Sequence, residues 1–492
     1  MNYLINKKTK IVCTIGPASQ DKKMMKTLLS KGMTCMRMNF SHGSHEEHLN
    51  KINTLREIEK EENLIIPICL DTKGPEIRTG CFKGGQVKFT KGETTRIKMN
   101  ADGLGDKDLF GVTYKNLFED ASINSILRLD DGNLELTVID KDIKNRELIC
   151  RVDNDHVCKD RRGVNCPGAH LSMPYLSEQD KDDLIFGCQQ HVDLISASFV
   201  RNVDDIKDIR KLLDANGGKN ILIISKIENT ESIENLDAII KESDGIMVAR
   251  GDLGIEIPAE LVPVYQKQMI ATCRKYGKPV ITATQMLDSM IRNPFPTRAE
   301  VSDVAWAIEE GSDAVMLSGE SANGLYPAES VEMQAKIATA IEKQFDYEAS
   351  SKSAFIFSDK TVSDAIANAV SETAQITNAK LIVSVSSSGS TAIKIAKTRP
   401  ICPVFVVSND LDTLKHIMLY YGNYPYHVKS LPQFIEEMEV LALKIAKDYN
   451  IEVGSKIILT GGTPVGAGKT NFLKVISIPD PNKMNLDKES ED

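Results

Sequence analysis

Eight short apolar runs, mostly separated by stretches with helical periodicity, set the strongest limit on how this chain can fold. By residue number, they are 10–17, 34–41, 65–74, 193–200, 221–229, 245–252, 279–286 and 313–320. Nearly continuous apolar runs that alternate with helices are typical of parallel strands buried on both faces. Eight such strands predict a closed (β/α)8 barrel, with an open doubly wound sheet as the alternative.

Polar residues at the ends of these runs favour the barrel. They fall where a strand ends and the following loop begins: Arg37, Asn39, Asp71, Lys73, Lys226, Glu228, Asp252, Thr284 and Glu320. A parallel barrel brings the carboxyl ends of all its strands to one face, and its active site lies there. We therefore expect these side chains to gather at a single rim.

Two further segments differ from the barrel pattern. Residues 75–168 show period-two alternation and Asp-Gly or Gly-Gly turns, which predict an all-β insert hanging over the catalytic face as a lid. From about residue 346, three helices alternate with three strands of an open-sheet α/β domain. The predicted organisation is a barrel at 1–74 and 169–345, a lid at 75–168, a C-terminal domain at 346–478 and a flexible polar tail at 479–492.

Composition excludes several classes of protein. The 492 residues are too many for a single core. A net charge of −9 argues against nucleic-acid binding, which depends on clustered Lys and Arg. No apolar stretch is long enough to span a bilayer, and the first ten residues lack the apolar centre of a signal peptide. The ten cysteines contain no CxxC pair and predict buried reduced thiols, so we expect a cytoplasmic protein without nucleic-acid or membrane partners.

The segment GGTPVGAGKT at 461–470 has the composition of a phosphate-binding P-loop but not its spacing. A P-loop needs Gly, four residues and then Gly-Lys-Ser/Thr. Thr463 stands five positions before Gly468, whereas the nearest glycine, Gly462, is six before it. This segment is compatible with phosphate binding, but we expect the chemistry elsewhere.

The sequence SKIEN predicts a metal site. Lys226 and Glu228 are two residues apart, so both side chains would point to the same face of a strand. Asp252, in VARGDLG, ends the next run. Two carboxylates from adjacent strands suit Mg²⁺ or Mn²⁺, which prefer oxygen ligands and keep positions open for substrate phosphates. A buried Lys–Glu ion pair is the structural alternative.

The ARGD turn at 249–252 leaves a strand and starts a short helical turn. Its exposed N–H groups would bind carboxylate or phosphate oxygens, unless it is a plain tight turn. Thr284, in ITATQM, stands at a strand end and could hydrogen-bond substrate or hold a relay water. An unassisted threonine is a poor base, so we do not expect it to act as a nucleophile.

A second group of oxygen-bearing residues comes from two neighbouring runs. Strand alternation places Arg37, Asn39 and Ser41 on one face of MRMNFSHG, and LDTKG adds Asp71 and Thr72. The Asn, Ser and Thr oxygens are neutral, so this set carries a single formal charge, that of Asp71, which suits a monovalent cation. The alternative interpretation is an ordinary polar layer at the mouth of the barrel. The Arg37 guanidinium is well suited to contact a phosphate.

Several long segments, in this order, closely resemble the pyruvate kinase family. They are TKIVCTIGPAS, MRMNFSHG, LDTKGPEIRTG, ISKIEN, VARGDLG, TATQML, PTRAE and MLSGES. The resemblance covers nearly the whole chain. It implies a barrel with an inserted β lid, a C-terminal regulatory domain and a homotetramer. The implied reaction is phosphoryl transfer from phosphoenolpyruvate to ADP, giving pyruvate and ATP in the last step of glycolysis, with Mg²⁺ (or Mn²⁺) and K⁺ as cofactors.

The resemblance also implies residue roles. The catalytic residues would be Lys226, Arg37 and Thr284. Substrate would contact Arg37, Lys226, Ala249, Arg250, Gly251, Asp252 and Thr284. Divalent metal would be held by Glu228 and Asp252, and K⁺ by Asn39, Ser41, Asp71 and the carbonyl of Thr72. Nucleotide would lie near Asn39, His42, Arg78 and Arg162, the last standing where relatives commonly carry Lys.

An effector pocket for a phosphorylated metabolite is implied in the last domain, unless its loops are ordinary Gly/Ser turns. Its residues would be Ser386, Ser388, Gly389, Ser390, Thr391, Gly466, Gly468 and Lys469. The 386–391 loop lacks a basic residue that many relatives carry there, and the 461–470 loop lacks a Trp-Arg pair found in some relatives. A sugar bisphosphate, a sugar monophosphate and AMP therefore all stay open as the effector. Trp306 and Phe295 replace a usual Asn and a common Arg.

Two other functions remain as alternatives. A metal-dependent barrel lyase or aldolase acting through a pyruvate enolate would also use Glu228, Asp252 and Mg²⁺. A non-catalytic metabolite sensor would need only the C-terminal site. The predicted lid, Lys226 and the monovalent-cation oxygens favour phosphoryl transfer.

Overall fold

The structure is a computed structural model that describes residues 5–356, 359–464, 466 and 469–480. Gly468 and residues 481–492 of the predicted tail therefore lie outside the described residues. The described chain forms a closed barrel, a strand-rich insert and a C-terminal α/β domain, which confirms the predicted fold class.

Strands are numbered in chain order. The barrel begins with β1 (Lys10–Thr14), β2 (Cys35–Asn39) and β3 (Ile68–Asp71). The insert contains β4 (Cys81–Phe82), β5 (Gln86–Phe89), β6 (Thr94–Lys98), β7 (Leu104–Gly105), β8 (Leu109–Gly111), β9 (Ile126–Leu129), β10 (Leu134–Asp142), β11 (Glu147–Val152), β12 (His156–Lys159) and β13 (Val164–Asn165). The barrel resumes with β14 (Leu194–Ala197), β15 (Leu222–Ile227), β16 (Gly245–Ala249), β17 (Val280–Ala283) and β18 (Ala314–Leu317). The last domain contains β19 (Leu381–Val385), β20 (Val404–Ser408), β21 (Asn423–His427), β22 (Lys456–Gly461) and β23 (Phe472–Ser477).

The α-helices are numbered in the same way. They are α1 (Lys22–Lys31), α2 (His45–Glu62), α3 (Leu117–Asp120), α4 (Glu178–Gln189), α5 (Val203–Ala215), α6 (Thr230–Glu234), α7 (Leu236–Glu242), α8 (Arg250–Glu256), α9 (Val262–Tyr276), α10 (Arg298–Glu310), α11 (Gly319–Ala322), α12 (Pro327–Glu342), α13 (Tyr347–Ile356), α14 (Val362–Ile376), α15 (Ser390–Lys397), α16 (Leu411–His416) and α17 (Ile435–Asp448). Short 3₁₀ turns occur at Lys83–Gly85, Ala259–Leu261, Asp288–Ile291 and Ile417–Leu419.

The barrel closes in the order β1-β18-β17-β16-β15-β14-β3-β2. All of its strand pairs are parallel, and nearly every strand residue is buried. One face of each strand packs into the barrel interior and the other packs under the helices, which explains the continuous apolar runs. The same register aligns the strand ends: Asn39 of β2 pairs with Asp71 of β3.

The helices begin and end at the signals that the local sequence provides. In α2, the Ser44 hydroxyl accepts a hydrogen bond from the Glu47 N–H while the Glu47 carboxylate accepts one from the Ser44 N–H. Thr297 and Glu300 form the same reciprocal cap on α10. Such caps satisfy N–H groups that have no partner within the helix.

The insert is built around a six-stranded sheet in the order β13-β9-β10-β11-β6-β8, with two small two-stranded sheets beside it. Alternate residues of these strands point inward and form their own apolar core, separate from that of the barrel. This period-two burial explains why the segment was recognisable as β structure.

The C-terminal sheet has the order β21-β20-β19-β22-β23, and only β23 runs antiparallel to its neighbour. The three expected strands correspond to β19, β20 and β22, and the three expected helices to α14, α15 and α17. Strands β21 and β23 were not predicted from the sequence. The first contains Pro425 and the second is a half-exposed edge strand, so neither shows a long apolar run.

All ten cysteines are unpaired thiols, and nine of them are buried, as predicted. Across the described ranges, no helix combines the length and apolarity that a membrane span requires.

Candidate active site

The rim residues gather at the carboxyl ends of the barrel strands. Arg37 and Asn39 lie in β2, Asp71 ends β3, and Lys226 lies near the end of β15. Thr284 directly follows β17. Glu228 directly follows β15, and Asp252 lies in α8, the short helix that follows β16. The alignment follows from parallel strands of similar length in register.

The Asp71 carboxylate lies between two buried cations. The Arg37 Nε donates to Asp71 Oδ2 at 2.7 Å, and the Lys226 Nζ contacts Asp71 Oδ1 at 3.2 Å. Burial alone would raise the pKa of Asp71, but the two cations outweigh it and the pKa is lowered. The Arg37 Nη1 also donates to the Thr14 hydroxyl at 2.7 Å. Asp71 thus fixes both cations on one side of the barrel mouth.

Glu228 is fully buried beside Lys226. The Lys226 Nζ lies 2.9 Å from Glu228 Oε1, and the Phe199 N–H donates to Glu228 Oε2 at 2.6 Å. Burial is the largest cause that raises the pKa of Glu228 to about 7, and the negative charge of Asp252 adds to it. Burial opposes a charge on Lys226 too, yet Asp71 and Glu228 raise its pKa above the ordinary value.

The donor set fits a hard divalent cation. Glu228 and Asp252 supply carboxylate oxygens and interact electrostatically. No group of three or more His, Cys, Asp and Glu suited to hold a metal ion occurs in the described parts of the chain. A pair of carboxylates without nitrogen or sulfur ligands suits Mg²⁺ or Mn²⁺, whose other positions would be filled by water and substrate oxygens.

The oxygens expected around a monovalent cation also lie on adjacent strands. The Asn39 Oδ1 accepts a hydrogen bond from the Ser41 N–H at 3.0 Å, and Asn39 pairs in register with Asp71. The carbonyl of Thr72 accepts a hydrogen bond from the Ser198 hydroxyl at 2.6 Å. These are oxygen ligands with one formal charge, which fit a monovalent cation.

The segment after β16 contacts the segment after β17. The Gly251 N–H donates to Thr284 Oγ1 at 2.8 Å, and the Thr284 hydroxyl donates to the Ala283 carbonyl at 2.6 Å. Thr284 has a φ of +66°, an uncommon conformation for a β-branched residue. The Arg250 guanidinium donates to Asp303 at 2.6 Å and to the Thr284 carbonyl at 2.8 Å.

A cavity of about 340 Å³ lies between the barrel rim and the insert. Three of the four predicted nucleotide residues, His42, Arg78 and Arg162, line it together with Asp252. Asn39 is not among the lining residues. Arg78 contacts Glu76 at 2.8 Å, and the Arg162 Nε lies 3.4 Å from Asp130.

The predicted effector residues are divided in the structure. Thr391 and Thr470 are joined by a hydrogen bond between their hydroxyls, so the two loops are adjacent. Lys469 lines an open cleft of about 560 Å³ with Thr361, Thr463 and Asn471. The lining of this cleft does not include Ser386, Ser388, Gly389, Ser390, Thr391 or Gly466.

Two polar residues that were not predicted from the sequence contact the predicted catalytic cations. Ser198 accepts a hydrogen bond from Lys226, and Thr14 accepts one from Arg37. Ser198 directly follows β14 and Thr14 ends β1. Both stand at carboxyl ends of barrel strands, so the rule that selected the other rim residues also applies to them.

Comparisons with known proteins agree with this architecture. Family models described as "Pyruvate kinase, barrel domain" and "Pyruvate kinase, alpha/beta domain" match residues 6–331 and 364–476. The chain is 43% identical to a pyruvate kinase of Sporosarcina psychrophila over 475 residues, which cover 96% of this chain and 81% of that relative. It is 44% identical over 478 residues to a pyruvate kinase of Staphylococcus aureus, with the same coverage.

A crystal structure of a pyruvate kinase from Cryptosporidium parvum superposes with a TM-score of 0.91 at 38% identity. The match covers 96% of this chain and 97% of that one. Long matches at this identity, together with the barrel, the insert and the C-terminal sheet, leave one assignment: the chain belongs to the pyruvate kinase family, the phosphotransferases that transfer the phosphoryl group of phosphoenolpyruvate to ADP.

Proposed function

We propose that Lys226, Arg37 and the oxygens around them carry out the phosphoryl transfer at the barrel rim. The observation that carries this assignment is the Lys226 ammonium, buried between the carboxylates of Asp71 and Glu228 at 3.2 and 2.9 Å. An oxygen of the ADP β-phosphate attacks phosphorus in line while enolpyruvate leaves, and charge spreads over the phosphoryl oxygens and the enolate. Fixed cations beside that charge lower the barrier.

Arg37 and Lys226 are both prepositioned for this task. The same carboxylate, Asp71, contacts both cations, so neither has to reorganise when the phosphoryl group arrives. Preorganised charge in a site shielded from water is more effective than charge that must first be oriented. We assign both side chains to the phosphoryl oxygens.

Glu228 and Asp252 would hold Mg²⁺ or Mn²⁺, and Asn39, Ser41, Asp71 and the Thr72 carbonyl would hold K⁺. When bound, these cations would offset the negative charge of the substrate and phosphoryl oxygens. The absence of nitrogen and sulfur ligands from both sets supports the choice of hard cations.

The carboxylate of phosphoenolpyruvate would lie against the backbone of residues 249–252. The support is the contact of Gly251 with Thr284, which brings this backbone beside the predicted relay hydroxyl. The Thr284 oxygen accepts a hydrogen bond from Gly251, and its proton goes to the Ala283 carbonyl. It would therefore orient a water that delivers the proton to the enolate carbon, rather than act itself as an acid or a base.

ADP would lie in the cavity between the barrel rim and the insert. Its phosphates carry negative charge, and Arg78, Arg162 and His42 supply cationic or hydrogen-bonding groups on the cavity wall. With the insert acting as a lid, water would be excluded from a phosphoryl donor that it could otherwise hydrolyse.

Regulation belongs to the same proposal. A phosphorylated effector would bind near Lys469 and the 386–391 loop. The support is the hydrogen bond between Thr391 and Thr470, which brings the two loops together.

A homotetramer would cover exposed apolar side chains such as Trp306 and Phe295, which are 67% and 72% exposed in the single chain. A cytoplasmic location stays a prediction. A thermal-shift screen of phosphorylated metabolites, combined with light scattering, tests the effector and the assembly.

Changing Lys226→Met tests the central assignment. We expect turnover to fall at least a hundredfold, about 3 kcal/mol of barrier, because one fixed cation is lost from the transition state. The measurement is pyruvate formation coupled to lactate dehydrogenase, with and without ADP. Lys352→Met is the matched control, because Lys352 is exposed and forms an ion pair with Glu348 in its own helix. Retained turnover in Lys226→Met would refute the assignment.

A further inference from the structure

Ser198 lies at the centre of the predicted catalytic cluster, although no role has been given to it. It follows β14 directly, and only 2% of its surface is exposed. Its hydroxyl contacts three polar groups: the Lys226 Nζ at 2.8 Å, the Thr72 carbonyl at 2.6 Å and Asp71 Oδ1 at 3.3 Å. A buried hydroxyl among such groups has a defined hydrogen-bonding direction.

The donors and acceptors allow only one main arrangement. An ammonium can only donate, so the Ser198 oxygen accepts a hydrogen bond from Lys226. The single hydroxyl proton then goes to the Thr72 carbonyl, whose distance is shorter than that to Asp71. The hydroxyl therefore links the catalytic ammonium to a carbonyl assigned to the monovalent cation.

The same contact completes the surroundings of Lys226. The Lys226 ammonium donates hydrogen bonds to Asp71 and Ser198, and Glu228 Oε1 lies 2.9 Å away as an ion-pair partner. Two hydrogen bonds and one ion pair restrict both the position and the rotation of the group. Without the serine hydroxyl, one N–H of a buried ammonium would lose its acceptor, which is costly away from water.

The backbone around Ser198 is held from several sides. Its N–H donates to Thr72 Oγ1 at 3.1 Å, and its carbonyl accepts from the buried Tyr175 hydroxyl at 2.9 Å. Phe199, the next residue, has a φ of +55° and donates its N–H to Glu228. Gly74 has a φ of +72°, and a Cβ there would lie 2.9 Å from Ser198 atoms, so a glycine is needed for this close approach. The serine is thus placed rigidly.

We propose that Ser198 is a positioning residue that couples the monovalent-cation segment at Thr72 to the catalytic ammonium of Lys226. This inference rests on the proposed function of the rim. Through one hydroxyl, the position of the Thr72 carbonyl and the orientation of the ammonium depend on each other. If the Thr72 carbonyl were a ligand of a bound monovalent cation, its position would be fixed, and the Ser198 hydroxyl would in turn hold the Lys226 ammonium in one orientation.

Ser198→Ala tests the coupling, and Ser196→Ala is its matched control. Ser196 lies two residues earlier and is equally buried, but its hydroxyl contacts Cys69 Sγ at 3.1 Å and not the rim. For Ser198→Ala, we expect kcat to fall about ten- to a hundredfold and the K⁺ concentration for half-activation to rise about tenfold. The KM for phosphoenolpyruvate should change less than about threefold, since no substrate contact is removed. Ser196→Ala should resemble the unmodified enzyme.

A readout independent of turnover completes the test. The K⁺ concentration that gives half of the K⁺-induced rise in Tm should increase in Ser198→Ala and not in Ser196→Ala. Equal K⁺ responses in the two variants, by both activity and Tm, would overturn the coupling. If Lys226→Met keeps its turnover, the rim assignment itself fails. If Lys226→Met is inactive while Ser198→Ala behaves like the unmodified enzyme, only the role of Ser198 fails.

Discussion

His48 is a buried side chain whose packing makes the stability of the folded chain depend on pH. Its ring stacks on Phe40 with centroids 3.9 Å apart, and its Nε2–H donates to the His42 carbonyl at 2.9 Å. The Nδ1 atom is buried and has no hydrogen-bond partner among the described residues. Burial, with a smaller effect of the Lys51 charge, lowers the pKa of His48 to about 4. The folded state therefore favours the neutral form of the His48 ring.

This pKa predicts an acid-sensitive contribution to stability. Because the pKa of His48 is lower in the folded chain, its contribution is fully present above the unfolded pKa of about 6.5 and is lost as the pH falls toward 4. The loss would be as much as about 2 kcal/mol between pH 7 and pH 5. Urea unfolding at both pH values should show a smaller pH difference for His48→Gln than for the unmodified protein.

The control for this measurement is His427→Gln, since His427 is exposed at the end of β21. This change removes a histidine outside the buried cluster around His48, so the variant should keep the full pH difference. If His48→Gln keeps it as well, the acid sensitivity comes from other groups.

Among the helices, α8 connects the β insert to the barrel rim. Asp252 lies near one end of α8, and Ile255 and Glu256 lie at the other. The Asn165 side chain of the insert donates to Glu256 Oε1 at 2.8 Å, and Arg128 donates to the Ile255 carbonyl. Burial raises the pKa of Glu256. One seven-residue helix therefore carries both Asp252 and contacts to the insert.

Asn165→Ala should loosen this contact. Losing about 1 kcal/mol of hydrogen bonding from a closed state of the insert would lower the closed/open ratio about fivefold, and so lower the closed population about threefold where the two states are balanced. We expect a several-fold lower kcat and faster amide exchange around residues 164–166 and 255–256. Asn145→Ala is the control, because Asn145 lies in an exposed turn of the insert and its side chain hydrogen-bonds to Asp142, away from α8. Unchanged exchange in Asn165→Ala would show that other contacts hold the lid.

For the molecule as a whole, a buried ion pair joins the C-terminal domain to the barrel face opposite the active site. Asp313 stands just before β18, and its carboxylate accepts from the Arg399 Nη1 at 2.8 Å and from the Tyr421 N–H at 3.0 Å. Arg399 also donates to the Gly311 carbonyl and lies over the Tyr421 ring. The active-site rim lies at the other end of the same strands, so β18 spans the distance between domain junction and catalytic face.

Arg399→Leu should destabilise the folded chain by about 3–5 kcal/mol, because it leaves the Asp313 carboxylate buried without its cation. Differential scanning calorimetry should show a lower Tm and a C-terminal domain that unfolds before the barrel. Lys352→Met, which removes an exposed ion pair within α13, should change stability by less than about 1 kcal/mol. A single, unshifted transition in Arg399→Leu would contradict this role.

Much of the architecture could be predicted from the order of the residues alone. Eight buried runs require parallel strands covered on both faces, and the carboxyl ends of such strands necessarily share a rim. That reasoning selected Arg37, Asp71, Lys226 and Glu228 without coordinates, because strand period and chain direction are properties of the local sequence. The missed strands β21 and β23 lack this apolar signal.

Only the closed barrel determines which atoms of the rim are in contact. Ser198 lies 126 residues from Thr72 and 28 from Lys226 along the chain, yet its hydroxyl contacts both. The junction of Arg399 with Asp313 joins residues 86 positions apart. Such partners depend on strand register, on barrel closure and on the docking of domains. Local propensity and periodicity carry no information about these long-range distances, so the chain order determines the rim while the tertiary packing determines its hydrogen bonds.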